Sequence, residues 1–215
     1  MKILELEQGT LEWALARLGI PTASRFDTLI TPKTMKPSKS ALSYRAELVA
    51  EWLIGQPLDW GTASWMDRGT DMEERARLWY EFHFDVEVRE VGFILRDDGL
   101  VGCSPDGLVG DDGGLEIKCP MAHQHVKYLL GIEDLVEKHV GQVQGALLLT
   151  GRPWWDLVSY NPDLPPVVKR VERNEDYLKA LTPILEPFVE QLEKDKAEWA
   201  AHKVLRPWDM EVEDE

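Results

Sequence analysis

The chain has 215 residues and carries 24 Lys and Arg against 39 Asp and Glu, a formal net charge of −15. Hydrophobic residues make up 44 % and charged residues 29 %, a globular balance that excludes disordered, collagen-like and low-complexity chains. Two cysteines cannot build a disulfide framework, the N-terminal MKILELEQGTLEW lacks the apolar core of a signal peptide, and Ala146–Leu149 is too short to span a bilayer, so a cytoplasmic protein without membrane contact is expected.

Taken in chain order, residues 10–30 read as a short helix, a break at Gly19-Ile20-Pro21, and a second helix capped by Thr22 or Ser24. Residues 31–40, TPKTMKPSKS, read as a mobile basic loop. That loop lies in a stretch from Arg17 to Arg45 with six basic residues and one acid. Such a stretch is either a solvated surface or a local phosphate contact on a molecule otherwise repelled by DNA. Residues 41–54 are an amphipathic helix with Leu42, Ala46, Val49 and Leu53 on one face, and residues 65–83 a second.

From 85 to 119 the period shortens to that of strands. Val86, Val88, Val91, Phe93 and Leu95 alternate up to a hairpin turn at Arg96-Asp97-Asp98-Gly99. A short strand over 103–109 follows, then a tight turn at Asp111-Asp112-Gly113-Gly114, then the two-faced strand Leu115–Cys119, ended by Pro120. Residues 122–150 are helical with an interruption near Gly131. Trp154–Tyr160 and Val167–Val171 are strands joined by a Pro-rich turn. Residues 174–201 form a long helix that Pro183 and Pro187 should kink or break. The order implies one α/β domain over 1–215, a mixed central sheet flanked by helices, with its core at about 8–190 and a C-terminal helix and acidic tail at about 174–215. Residues 186–215 hold ten acids and four bases.

The chemistry concentrates in 104–118. Glu116 and Lys118 project from one face of a strand, and Asp106 faces them from its hairpin partner. Two carboxylates beside an ammonium suit metal-assisted phosphodiester hydrolysis. Hard oxygens hold Mg²⁺, the Ile117 carbonyl completes the shell, and the lysine orients the nucleophile or steadies developing charge. The pattern P-D-x9-E-x-K is the signature of the PD-(D/E)xK nucleases. On the motif alone, a surface hairpin whose acids only solvate the turn remains an equal reading.

The blocks around the motif resemble a known family. Ser104-Pro105-Asp106-Gly107-Leu108 and Gly114-Leu115-Glu116-Ile117-Lys118-Cys119-Pro120 resemble the phage lambda exonuclease family, the YqaJ-type viral recombination nucleases. Leu15–Ser24, Arg68–Glu73 and Gln142-Val143-Gln144 resemble further blocks of that family in the same order, from about residue 8 to about residue 190. The likeness is weakest over 31–66.

This resemblance implies a restriction-endonuclease-like core and a Mg²⁺-dependent exonuclease with one or two ions, Mn²⁺ substituting. Such an enzyme degrades one strand of linear double-stranded DNA 5′→3′ from 5′-phosphorylated ends, leaving a 3′ single strand. It implies Asp106, Glu116 and the Ile117 carbonyl as metal ligands, Glu73 at a second metal position and Lys118 orienting the attacking water. Arg17, Ser24, Ser104 and Gln144 would hold the 5′-phosphate, with Thr22 nearby. It also implies a ring-shaped homotrimer, a single-strand annealing recombinase as partner, and a phage or prophage genome.

Trp65 or Met66 is a candidate wedge at the duplex end, against the commoner role of a core tryptophan. His83, His123, His125, His139 and His202 show no zinc-ligand spacing with Cys103 or Cys119, although His123 and His125 could face phosphate. Rival functions are an endonuclease or single-strand nuclease of the same superfamily, and a non-catalytic DNA-end-binding recombination protein.

Overall fold

The computed structural model describes residues 1–58 and 66–204, with side chains within 66–71 left aside. The first half contains β1 (Lys2–Leu4), α1 (Leu11–Ala16), a 3₁₀ helix (Ala23–Thr28), β2 (Ile30–Thr31), β3 (Lys36–Pro37), α2 (Ala41–Ile54) and α3 (Met66–Phe84). Short strands β4 (Val88–Arg89), β5 (Phe93–Leu95), β6 (Gly102–Cys103) and β7 (Gly107–Val109) lead to β8 (Gly113–Lys118). Then come α4 (Ala122–Leu129), α5 (Leu135–Thr150), β9 (Trp154–Ser159), β10 (Val167–Glu172) and α6 (Glu175–Trp199).

The central sheet runs β10-β9-β8-β7-β4, and β1-β5-β6 form a smaller antiparallel sheet. Only β8 and β9 pair in parallel within the central sheet, because α4 and α5 carry the chain across between them. The sheet is therefore mixed and covered on both faces. Leu115, Ile117 and Val158 pack against Ala76 and Tyr80 of α3. Trp155 and Leu157 point the other way, into the larger core with Val143, Leu147, Leu181 and Leu185. Gly113 and Gly114 begin β8 because a Cβ there would meet the rings of Trp154 and Trp155 at 2.0 and 2.3 Å. These glycines belong to the strand; the turn is Gly110-Asp111-Asp112.

Caps explain where the helices begin. Thr10 accepts from the Trp13 N–H, Asp134 from Val136 and Glu137, and Asn174 from Asp176 and Tyr177. Three expectations change. Within the stretch expected as a mobile basic loop, β2 and β3 pair as a small hairpin across residues 30–37. The buried face of α2 is Tyr44 and Leu48, while Leu42 is 68 % exposed. There the aromatic ring of Tyr44 stacks on Phe188 of α6, and that contact outweighs the aliphatic periodicity. Finally, α6 continues through Pro183 and Pro187, carried by the burial of Leu181, Leu185, Phe188 and Leu192. Trp60, Trp65 and the acidic tail 207–215 lie outside the described residues, and Met66 is described only as backbone.

Candidate active site

The β7–β8 hairpin brings the motif together. Register pairs Gly107 with Leu115, which places Asp106 at the mouth of the pair beside the far end of β8. The Ile117 N–H donates to Asp106 Oδ2 at 2.5 Å. Glu116 and Lys118 emerge from the same face of β8, with Lys118 Nζ 2.7 Å from Glu116 Oε1. From α5, the Gln142 amide donates to the same oxygen at 2.6 Å.

Helix α3 brings in the third acid. Ala76 and Tyr80 bury one face on the sheet, and Glu73 and Arg77 lie beside that face, half-buried. The Tyr80 hydroxyl donates to Asp156 Oδ2 at 2.6 Å, and Arg170 forks the same carboxylate with two N–H groups. This network pins α3 to β9. Arg77 bridges to Glu90 at 2.8 Å and reaches toward the Asp106 carbonyl. Asp106, Ile117, Lys118 and Glu73 line a cleft of about 1090 Å³.

Crowding of acids sets the electrostatics of this cleft. Burial, reinforced by Glu116, pushes the Asp106 carboxyl well above the usual carboxylate range. Burial and Glu116 also raise Glu73, against the pull of Lys118. Burial pulls the Lys118 ammonium down, but Glu116 and Asp106 outweigh it and hold the group above an ordinary lysine. His139, one turn before Gln142 on α5, is pulled to about 4, first by burial and then by Lys118.

A second cavity of about 170 Å³ adjoins the first, lined by Arg17, Ser24, Ser104, Glu116 and Gln142. Trp13 and Gln8 line both cavities and form their common wall. Among the described residues, no carboxylate or carbonyl accepts from the Arg17 guanidinium; its contact is the face of Trp13, 4.0 Å away. Burial lowers the Arg17 pKa, against a weaker opposing pull from Tyr44, Glu51 and Cys103. Thr22 stands behind the pocket, its hydroxyl 3.1 Å from that of Ser24.

With this geometry in view, comparison with known proteins is informative. Residues 12–153 match the YqaJ-like viral recombinase domain. The chain belongs to that family. It is similar to an alkaline exonuclease, LHK-Exo, from Laribacter hongkongensis, at 33 % identity and a TM-score of 0.71. It is similar also to LHK-Exo in complex with dAMP, at 34 % identity and 0.72. Each comparison covers 89 % of this chain and 99 % of that one. A phage-related exonuclease from Haemophilus somnus 129PT shares the fold at 14 % identity and a TM-score of 0.60, over 94 % of this chain and 98 % of the other. No curated protein sequence matches. The architecture is thus the restriction-endonuclease-like fold of these exonucleases.

Most residues singled out in this YqaJ-like sequence converge, and one does not. Asp106, Ile117, Lys118 and Glu73 gather at the cleft, and Arg17, Ser24 and Ser104 at the smaller pocket, which Glu116, paired to Lys118, also lines. Gln144 is elsewhere. It is 2 % exposed, donates to the Glu172 carbonyl and accepts from the Asn174 N–H, both at 2.9 Å, so it fastens the start of α6. Gln142, two residues earlier, occupies the pocket instead. The two lie about 200° apart around α5, so only one can face the site. The helical phase fixed by buried Val143 and Leu147 was the signal that separates them. His125 is also structural, fully buried between Ser159 and the Pro165 carbonyl. Trp13, Gln8 and Arg77 escaped sequence reading because their roles rest on contacts 29 to 97 residues distant.

Proposed function

We propose that this chain is a Mg²⁺-dependent 5′→3′ exonuclease that degrades one strand of linear duplex DNA from 5′-phosphorylated ends. The observation that carries the reading is the pair of adjoining cavities that share Gln8 and Trp13 as a wall. One crowds carboxylates around a lysine, and the other holds an unpaired guanidinium beside hydroxyl and amide donors. A scissile phosphate in the cleft with a terminal phosphate in the pocket describes removal of a nucleotide from a 5′ end. The complex of LHK-Exo with dAMP, a mononucleotide, supports the same substrate class.

The donor set fits magnesium. Among the described residues no three Asp, Glu, His or Cys side chains form a metal cluster by themselves. Magnesium asks for less: one or two carboxylates, further oxygens and several waters. Asp106, Glu116 and the Ile117 carbonyl would hold it, with Glu73 at a second position, and a cation relieves the crowding that raises Asp106 and Glu73. When bound, the ion supplies charge neutralisation and Lewis-acid polarisation at the phosphate. Lys118, held protonated by its acidic neighbours, orients the attacking water and steadies charge on the phosphate rather than accepting a proton. Gln142 fixes the Glu116 carboxylate from the pocket side. Arg17, Ser24 and Ser104 bind the terminal phosphate, where a guanidinium and hydroxyls make charge-assisted hydrogen bonds.

The finer reading also includes a homotrimeric ring, a single-strand annealing recombinase as partner and a phage or prophage origin, acting in the host cytoplasm. Among the described residues no helix is long and apolar enough to cross a membrane. Phe82 on α3 is 90 % exposed and Leu78, one turn earlier, 58 %, a surface that suits a subunit contact.

The test is digestion of linear duplex bearing 5′-phosphate or 5′-hydroxyl ends, with and without Mg²⁺, beside a closed circle. Mg²⁺-dependent loss of the phosphorylated linear duplex, with the circle intact, is expected. Cutting of the circle would make the protein an endonuclease. No cutting by folded protein would leave a DNA-end-binding role.

A further inference from the structure

Trp13 touches both walls of the smaller pocket. Its Nε1–H is shared between the Gly92 carbonyl and the Ser104 hydroxyl oxygen, each at 3.0 Å. Its ring face carries the Arg17 guanidinium, 4.0 Å from the centroid. Indole is a donor only, so at Ser104 the oxygen must accept. The Ser104 hydroxyl proton is then left to point elsewhere, and the open direction is the cavity that Ser104 lines. The same ring fixes the plane of a guanidinium that has no other partner among the described residues. Gln8, the other residue of the shared wall, holds the next carbonyl in place by donating to Pro105 and Val91.

Resting on the exonuclease reading above, we propose that Trp13 is a positioning residue that makes the pocket selective for a 5′-phosphate. One side chain sets both donors: it commits the Ser104 hydroxyl to donate and holds the Arg17 fork in the plane that receives an anion. A neutral 5′-hydroxyl gains little from either. Trp13 therefore governs discrimination between phosphorylated and unphosphorylated ends more than it governs hydrolysis at the neighbouring cleft.

The test separates these two effects. Trp13→Phe keeps an aromatic face for Arg17 and removes the N–H; Ser104→Ala removes the acceptor and leaves the indole in place. Full-length wild type, both variants and the double variant are titrated with dAMP and with deoxyadenosine, and their initial rates are measured on 5′-phosphate and 5′-hydroxyl linear duplex. Wild type should prefer the phosphorylated form in both assays. Trp13→Phe should cut that preference about ten-fold, the loss falling chiefly on the phosphorylated end. In the phosphate preference the double variant should lose no more than Ser104→Ala alone, because both changes remove the same Trp13–Ser104 hydrogen bond. Equal losses on both ends, or additive losses in the double variant, would overturn the proposal and leave Trp13 as packing. If Trp13→Phe alone is unstable, Ser104→Ala still decides, since an unchanged preference there would also overturn it. A wild type without any preference for phosphate would instead sink the pocket reading itself.

Discussion

The two cavities are opposite in charge and only one wall apart. The cleft holds more carboxylate than one lysine can neutralise, and its acids are pushed upward. The pocket holds a guanidinium that donates to no carboxylate among the described residues and stacks on Trp13, with Glu116 also in the lining. Ion pairs form readily wherever the fold permits, as Arg170 with Asp156 or Arg45 with Asp195 show. Arg17 forms no such pair among the described residues, although Glu116 lines the same pocket; that carboxylate is held by Lys118 and Gln142 instead. On the proposed reading the cleft receives a cation and the pocket an anion, a metal ion and a phosphate terminus meeting those two needs separately.

If that division is right, the cleft should matter for every substrate. Lys118→Ala removes the cation beside the reacting phosphate, and we expect about a 10²–10³-fold loss of rate on 5′-phosphate and 5′-hydroxyl ends alike. Single-turnover digestion of both substrates checks this, and a loss confined to one end type would break the comparison. The pocket should matter for one substrate only. Arg17→Ala should lower the rate on phosphorylated ends about 10–100-fold, the worth of charge-assisted hydrogen bonds, and scarcely change the 5′-hydroxyl rate. Equal losses would merge the two cavities into one site.

The two glutamines of α5 sharpen the boundary. Gln142→Ala frees Glu116 from one of its two partners and should cost about ten-fold in rate. Gln144→Ala should leave the rate alone. It removes the partner of the part-buried Glu172 carbonyl and Asn174 N–H, a cost of about 1 kcal/mol, which lowers the melting midpoint by about 2–4 °C for each kcal/mol. Rate and midpoint measured on the same preparations decide which glutamine belongs to the site.

That pair also marks how far the sequence could be read. The hairpin, its two acids and the lysine are local: thirteen residues, alternation and a turn specify them, so their convergence was legible. The ends of α4 and α5 were legible for the same reason, through Gly131 and Gly151, both at positive φ. What failed depended on the rest of the molecule. Choosing Gln142 over Gln144 required the phase of α5 against its core, and choosing Tyr44 and Leu48 over Leu42 required knowing that α6 lies there. The shared wall was least legible. Gln8 and Trp13 act on carbonyls and a hydroxyl about 80 to 100 residues away, and no spacing along the chain announces that.

The smallest expected effect is the most diagnostic of the crowded cleft. Asp106→Asn keeps an oxygen for the Ile117 N–H and removes a buried charge. In metal-free protein the folded Asp106 carboxyl binds its proton more tightly than the unfolded one. Its contribution to stability is therefore fully present below the unfolded pKa and is lost as pH rises through the raised folded value. Asp106→Asn should abolish that loss. At pH 8 with chelator the variant should melt higher than wild type, by about 2–4 °C for each kcal/mol of charge burial and repulsion relieved, while being inactive. The gap should close as pH falls toward the unfolded value. His139 acts in the opposite sense: its imidazole, held near 4, loses stability as pH falls below about 6.5. Because both proteins retain His139, the difference between their melting curves isolates the carboxyl. Adding Mg²⁺ should stabilise wild type and leave Asp106→Asn nearly unmoved, since binding to the folded state alone raises its stability. A variant that melts lower than wild type at pH 8, or that gains as much from Mg²⁺, would mean that Asp106 is a structural acid and that the cleft is not waiting for a cation.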